Sequence, residues 1–400
     1  MRKAGVLGVW GWVLVLLAGA VVLLSLGINV FLGAGTLERI STDSMDVHAD
    51  FDTFWRSADA MWEGRDVYDA GARLANLNPP FWTVVLAPFG LMEPLTAYRT
   101  FVLISLLATI GYLAWMAEEL KLRAGWAALA MGMLLLSSPF LATLALGQMY
   151  PVLALGLVVA WNADRRNRPV LSGVALGLVV ALKPSLAPIV LWPLVRRRWR
   201  ASAATMAAGA LGTLVGAVVL GVDTTVQWFE ILLRAPLSAY WDNASLPSSV
   251  ARLFTENEFA RPLATLPWLV PVAYAAGIGA IALTAVKARH GSEGGLWALT
   301  AAALLASPIA WHNYLMLLAP GILLLMARGR VALALLLLAL QFIPPQWPLL
   351  WQGDDTVAAT LALSLYLYIL VVHWVAFLTF GGEPDREPEH AHDLAAGERS

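Results

Sequence analysis

The sequence predicts an all-α integral membrane protein, one polytopic domain over 1–380 followed by a polar tail over 381–400. Three observations predict it. Hydrophobic residues make up 59% of the chain and charged residues only 13%, against roughly 25% charge in soluble globular domains. Apolar runs of membrane-compatible length recur from end to end, and their number points to about 10–12 transmembrane helices. Basic residues gather in short clusters between alternate runs, the mark of loops held on the cytoplasmic side. The chain has no cysteine, which excludes disulfides, thiolate metal sites and a cysteine nucleophile.

Leu7 to Leu32 is apolar, with no ionisable group after Arg2-Lys3. It far exceeds the roughly 7 to 15 residues of a signal-peptide core and reads as an uncleaved first span. Thr36 to Asn78 then forms a hydrophilic island with nine carboxylates (Glu38, Asp43, Asp46, Asp50, Asp52, Asp59, Glu63, Asp66, Asp69) and four arginines. The apolar piece Pro79–Leu91 is bounded by prolines and is too short for a straight crossing, which suits an interfacial or re-entrant helix. Runs near 97–117, 126–146, 149–163, 170–182, 185–196, 201–221, 266–287, 296–307, 309–327, 331–349 and 357–380 follow. Several fall below the roughly 20 residues of a full span, which leaves the boundaries at Gln148, Lys183 and His312 open.

With 79–91 not crossing, alternation puts Arg2-Lys3, Lys121/Arg123, Arg165–Arg168, Arg196–Arg200, Lys287/Arg289 and Arg328/Arg330 together on the cytoplasmic side. The external side receives loop 34–96, segment 139–148, the turn at Lys183, loop 222–265, and segments 307–313 and 344–356. Trp115, Trp126, Trp161, Trp192, Trp199, Trp268 and Trp347 fall near span ends and are expected to form an interfacial belt. The polar tail reads as disordered and cytoplasmic, and its His390/His392 pair as solvated rather than metal-binding.

The candidate site residues lie in the external segments. Asp50 and Asp52 open an amphipathic stretch, Phe54 through Trp62, expected to lie along the membrane surface. Acids at a helix start can serve the helix dipole, act as general base toward a hydroxyl, or hold a divalent cation. Lys183 is the single ionisable residue between Pro169 and Arg196; it needs a counter-charge or water, and Pro184 breaks the helix beside it, where the ammonium can meet a phosphate or snorkel. His312 lies between two apolar runs and can donate to an anionic leaving group or serve the loop backbone. Gln148 and Asn243 mark a polar turn and a glycosylation-like triplet. No phosphate-cradling Gly-x-x-x-x-Gly-Lys loop and no dinucleotide Gly-x-Gly-x-x-Gly context occurs, which argues against a donor nucleotide bound by those devices.

Taken in order, these pieces resemble glycosyltransferase family 87, polyprenyl-phosphate-sugar-dependent enzymes of the integral membrane GT-C class. The landmarks are Asp50-Phe51-x-x-Phe54-Trp55-x-x-Ala58, Gly64 with Tyr68, Asn78-Pro79-Pro80-Phe81 with Pro88 and Pro94, Ser138-Pro139 with Gly147-Gln148, and Gly173, Leu176-Gly177 and Lys183-Pro184 with the basic run Arg196–Arg200. They continue with Asn243-x-Ser245-Leu246 and Arg252, then Ser307-Pro308 with Trp311-His312. The resemblance implies a GT-C-like bundle with juxtamembrane helices in the first external loop. It implies transfer of a sugar, most often mannose, from a polyprenyl-phosphate donor to a lipid-linked or cell-envelope glycan acceptor, with inversion. Asp50 matches the family's base position, with Asp52 a second acid beside it, and Lys183 and His312 match positions facing the donor phosphate. Gln148, Asn243, Arg56 and Tyr68 complete the expected substrate-binding set. The implied location is the plasma (inner) membrane with the active site on the external or periplasmic face. A transporter or lipid flippase is the rival, but it favours ionisable groups near the midplane of several spans, whereas here acids concentrate in one loop.

Overall fold

The computed structural model describes residues 9–31, 36–290, 293–351 and 356–381; among these every regular element is a helix. The His390/His392 pair lies outside the described residues. Four helices are long and apolar enough to cross a bilayer alone: Val9–Ile28, Pro94–Glu119, Trp199–Leu220 and Leu269–Ala288. A fifth crossing forms if Ala124–Leu135 and Ser138–Leu146, bent by 47° at their junction, count as one. The bend falls where Pro139, in the first turn of the second helix, cannot continue the ladder of the first.

The remaining apolar runs form shorter helices, among them Pro169–Leu182, Gly295–Ala306, Val331–Leu340 and Leu365–Phe380. A ten-residue helix rises only about 15 Å, half the roughly 30 Å of bilayer hydrocarbon. Gly295–Ala306 is nearly all buried, whereas the long helices leave large apolar side chains such as Leu107, Leu211 and Ile278 exposed. Interrupted helices therefore sit inside the protein, where neighbours satisfy the freed backbone, and long ones face lipid. The expected set of ten to twelve crossings resolves into these two kinds of element.

Helix Pro80–Gly90 has 11 residues, about 16 Å of rise, too little to cross. It lies on Ala49–Glu63, where Trp62 Nε1 donates to the Ala87 carbonyl at 2.7 Å and a Cβ at Gly90 would come within 2.6 Å of the Ala58 carbonyl carbon.

Charge is sorted to the two ends of the bundle. At the end remote from Lys183, Arg196 and Arg198 meet Asp164 at 2.7 and 3.7 Å, Arg166 meets Glu119 at 2.6 Å, and Glu293 pairs with Arg165 and Arg328. Trp161 and Trp192 belong to this network rather than to an interfacial belt. Both are buried, under the guanidinium groups of Arg165 and Arg196, and Trp161 Nε1 donates to the Glu293 carbonyl. Trp199 and Trp268 are exposed, as a belt requires.

Lys183 is placed by a close helix pair. Gly173 and Gly177 of Pro169–Leu182 face Trp199–Leu220 so tightly that a Cβ at either would collide with the carbonyl oxygen of Ala201 or Thr205. Further along, Ala181 Cβ lies 2.6 Å from where a Cβ of Gly212 would stand. Small residues four apart let helix backbones approach where lipid supplies no hydrophobic drive between them. Gly177→Leu is expected to cost about 1–3 kcal/mol by overpacking and to lower the melting temperature in detergent. Leu178→Ala, on the exposed side of the same helix, is the control expected to change little; equal stability of the two variants would refute this packing.

Candidate active site

The acidic loop docks on the tip of helix Ser138–Leu146 through its own helix Ala49–Glu63. Gly147 closes the tip in the left-handed region at φ +70°, and a Cβ there would stand 2.5 Å from Phe51 Cβ, so conformation and packing both require glycine. The last carbonyls of the tip are taken by Tyr98, whose hydroxyl donates to Leu144 O at 3.0 Å, and by His48, whose Nδ1 lies 2.7 Å from Ala145 O. His48 is buried and stacks on Tyr98 with centroids 3.6 Å apart. At the end of this contact Gln148 Nε2 donates to Asp50 Oδ2 at 2.7 Å.

The two candidate acids separate here. Residues two apart on a helix diverge by about 200°, and Asp52 turns to Arg56, which donates from Nε at 2.7 Å while 43% of its own side chain stays exposed. Asp50 turns inward. Burial pushes its carboxyl above the ordinary carboxylate value; the Gln148 bond and the Lys183 charge oppose the rise, and the Asp242 charge adds to it. Asp50 and Asp52 are thus not a chelating pair, and no group of three or more His, Asp or Glu side chains fit for a metal ion occurs among the described residues.

Lys183 ends helix Pro169–Leu182. Its Nζ stands 5.0 Å from the Tyr314 ring centroid and 5.9 Å from that of Tyr150, and it forms no salt bridge among the described residues. Two facing tyrosines hold the cation by their ring quadrupoles and leave its donors free. His312 is buried, with Nδ1 at 2.6 Å from Asp242 Oδ1. That contact is a close approach rather than an aligned hydrogen bond, and Nε2 has no hydrogen-bond partner among the described residues.

Asn243 has a different role. Its Nδ2 donates to Pro308 O at 2.9 Å and Ser238 O at 3.4 Å, and its Oδ1 accepts from Ala310 N at 2.9 Å and Ser245 N at 3.1 Å. Every hydrogen-bonding position is filled by backbone, which fastens the second loop to the segment carrying His312. Arg252, fully buried, extends the fastening: its guanidinium donates to Ala239 O, Tyr240 O, Asn243 O, Leu363 O and Ser364 Oγ at 2.6 to 3.1 Å. Tyr68 donates to Asn78 O at 2.8 Å and borders a small cavity beside Thr53 and Ser57.

The structure therefore brings Asp50, Gln148, Lys183 and His312 to one end of the bundle, turns Asp52 and Arg56 aside, and uses Asn243 and Tyr68 as backbone fasteners. Sequence reasoning missed Asp242, His48, and the tyrosine pair Tyr150/Tyr314. Asp242 had a signal, as the single acid between Glu230 and Glu256; the others are legible only once the helices meet.

A family model described as Glycosyltransferase family 87 matches residues 76–308. The match includes Gln148, Lys183 and Asp242 and stops short of Asp50 and His312. The chain is 26% identical over 329 residues to a polyprenol-phosphate-mannose-dependent alpha-(1-2)-phosphatidylinositol mannoside mannosyltransferase of Mycobacterium tuberculosis, covering 72% of this chain and 74% of that protein. It is 27% identical over 209 residues to an alpha-(1->3)-arabinofuranosyltransferase of the same species, covering 50% of this chain and 45% of that one. Among solved structures, ArnT from Cupriavidus metallidurans bound to undecaprenyl phosphate aligns over 93% of this chain and 78% of that one, at 18% identity and a TM-score of 0.37. That likeness is too loose to transfer any position.

Burying Asp50 also shapes the pH dependence of stability. A carboxyl whose folded value is raised binds its proton more tightly in the folded state, so its contribution is full below the unfolded value and lost as pH rises through the folded one. The ionised form of Asp50 is therefore a net cost to the fold. Asp50→Asn keeps the shape and removes the charge, so it is expected to melt at or above the wild-type temperature at pH 7.5. The difference should shrink as pH falls toward the ordinary carboxylate range. A clearly less stable Asp50→Asn at neutral pH would show that Asp50 acts as a structural anion instead.

Proposed function

Since the chain belongs to glycosyltransferase family 87, we propose that it transfers mannose from a polyprenyl-phosphate donor to a hydroxyl of a lipid-linked or cell-envelope glycan, with inversion, at the external face of the plasma membrane. The observation that carries this reading is the meeting of a partly buried carboxylate, Asp50, with Lys183 and His312 at one end of the bundle. Mannose is favoured over arabinofuranose because the mannose-dependent relative matches over the larger share of the chain.

The acceptor oxygen attacks the anomeric carbon as the bond from that carbon to the phosphate oxygen breaks, through an oxocarbenium-like state. Asp50 accepts the hydroxyl proton, and its raised affinity for a proton makes it a stronger base than a solvated carboxylate. Gln148, bonded to Oδ2, fixes its orientation. The departing polyprenyl phosphate carries the negative charge away, and Lys183 Nζ and His312 Nε2 supply donors for it. Lipid anchoring of the donor suits a site placed at a bundle end.

Turnover of polyprenyl-phosphate-linked mannose by membranes of equal protein content tests the assignment. Asp50→Asn is expected to lose about 10²- to 10⁴-fold in rate, whereas Asp52→Asn, which loses only an ion pair with the partly exposed Arg56, should remain within a few-fold. Lys183→Ala should be inactive and Lys183→Arg partly active, because charge survives with altered geometry. An active Asp50→Asn beside a dead Asp52→Asn would move the base to Asp52; two active variants would end the mechanism.

The side of the membrane is tested in the naturally cysteine-free chain. Cysteines at the exposed positions Asp46 and Glu230 should react with an impermeant thiol reagent in intact cells, and one at Arg123 should react only after lysis. The opposite pattern would place the site inside the cell.

A further inference from the structure

Neither the cavity beside Tyr68 nor a larger one at Trp241 is lined by Asp50, Lys183 or His312. The larger one, about 550 Å³, opens beside them, bounded by Trp241, whose chain neighbour Asp242 touches His312. Its volume lies within the ~300–1,000 Å³ of small-molecule sites. Its wall combines aromatic faces, Trp241, Phe259 and Trp351, with the charged side chains Glu256, Glu258 and Arg261.

The wall is built in advance of any ligand. Trp241 stacks on Tyr240 with centroids 4.2 Å apart, and Phe259 meets both rings edge-on. Asn257 fixes the turn carrying the two glutamates, donating to Arg252 O and Thr255 O and accepting from Phe259 N and Ala260 N at 2.8 to 3.2 Å. Thr360 Oγ1 donates to Arg261 O at 2.8 Å. Arg252 ties the Tyr240 carbonyl, behind Trp241, to Leu363 and Ser364. The side chains of Glu256, Glu258 and Arg261 are exposed and form no salt bridge among the described residues.

Aromatic faces match the apolar C–H faces of a sugar ring, carboxylates accept from its hydroxyls, and a guanidinium donates to its oxygens. Two carboxylates against one guanidinium disfavour a phosphate or another anion. We propose that this cavity is the acceptor subsite: it holds neutral sugar rings of the acceptor glycan beside the ring whose hydroxyl is activated at Asp50. The assignment of the ligand as acceptor rests on the glycosyltransferase reading above; the sugar-binding chemistry of the wall stands apart from it.

Two measurements separate them. In the first, purified full-length protein is titrated with α-linked mannotriose, with binding followed by saturation-transfer NMR and no donor present. Saturable binding is expected in the wild type, weakened about tenfold or more in Trp351→Ala and Glu258→Gln and largely kept in Trp351→Phe, which retains an aromatic face. In the second, steady-state transfer should show a matching rise in acceptor KM for the first two variants, with donor KM and kcat at saturating acceptor unchanged. Wild-type affinity and acceptor KM in both Trp351→Ala and Glu258→Gln would overturn the subsite, as would tighter binding of mannose 6-phosphate than of mannose. A mannosylated lipid in bicelles that binds Trp351→Ala as well as wild type would show that its lipid, not its sugar, is recognised, and would overturn it too. Loss of mannotriose binding in the variants alongside a wild type that transfers no sugar would keep the cavity as a glycan site and dismiss the enzymatic reading.

Discussion

The hydrogen bond from Gln148 Nε2 to Asp50 Oδ2 is the contact on which the rest of the site depends. It joins a loop helix to the tip of a helix inside the bundle, 98 residues apart in sequence, at 2.7 Å. The approach is set by Phe51 lying over Gly147 and by Tyr98 and His48 taking the carbonyls of Leu144 and Ala145. Without that docking Asp50 would stand in water as one of nine loop carboxylates, with an ordinary proton affinity and no fixed direction. With it, Asp50 is aimed at Gln148 while Asp52 turns the other way to Arg56.

The same lipid constraint that shapes the bundle shapes the site. Charge cannot be left along the apolar length of the helices, so it collects at the two ends, and each end treats it differently. At one end the carboxylates of Asp164, Glu119 and Glu293 each pair with arginines. Such networks hold helices together and offer little free charge to a ligand. At the other end the loop has ion pairs of its own, Asp43 with Arg99 and Asp59 with Arg65, but Asp50 and Lys183 are held by uncharged partners, Gln148 and two tyrosines. Their mutual charges remain felt, as the shift at Asp50 shows, and their donors and acceptors remain available.

Much of this was legible in the sequence because membrane proteins encode it coarsely. Apolar runs located the helices, basic clusters grouped the loops, and the proline-bounded 79–91 was legible as a short helix of its own, Pro80–Gly90. Lys183 and His312 stood out as isolated polar residues in apolar surroundings. Which runs are complete crossings was not legible, because an apolar helix buried among others and one facing lipid read alike until packing separates them. Trp161 and Trp192 were misplaced for that reason: a tryptophan near a span end looks interfacial, yet here each lies buried under an arginine. Asp50 could not be told from Asp52 by composition, since only the direction each takes around the helix distinguishes them. Asn243 looked like a ligand-binding amide because its partners, the backbone of Ser238, Ser245, Pro308 and Ala310, lie partly in a distant segment.

Asn243 and His312 also show how scaffolding differs from chemistry at such a site. Both are buried and both belong to the joint between the second loop and segment 307–313. Asn243, like Arg252, has its hydrogen-bonding positions occupied, and a fully satisfied buried network rigidifies what it holds. His312 has a nitrogen without a partner, which in a low-dielectric setting is unfavourable. Unpaired buried atoms occur elsewhere, at Trp82 Nε1 and Asn162 for instance, so the vacancy alone assigns nothing. At His312 it coincides with Asp242 beside the ring and with Lys183 and Asp50 at the same bundle end. A negatively charged phosphate entering there would satisfy the open nitrogen and the free ammonium together. The joint that Asn243 and Arg252 keep rigid is what would hold those two donors in place as the charge develops.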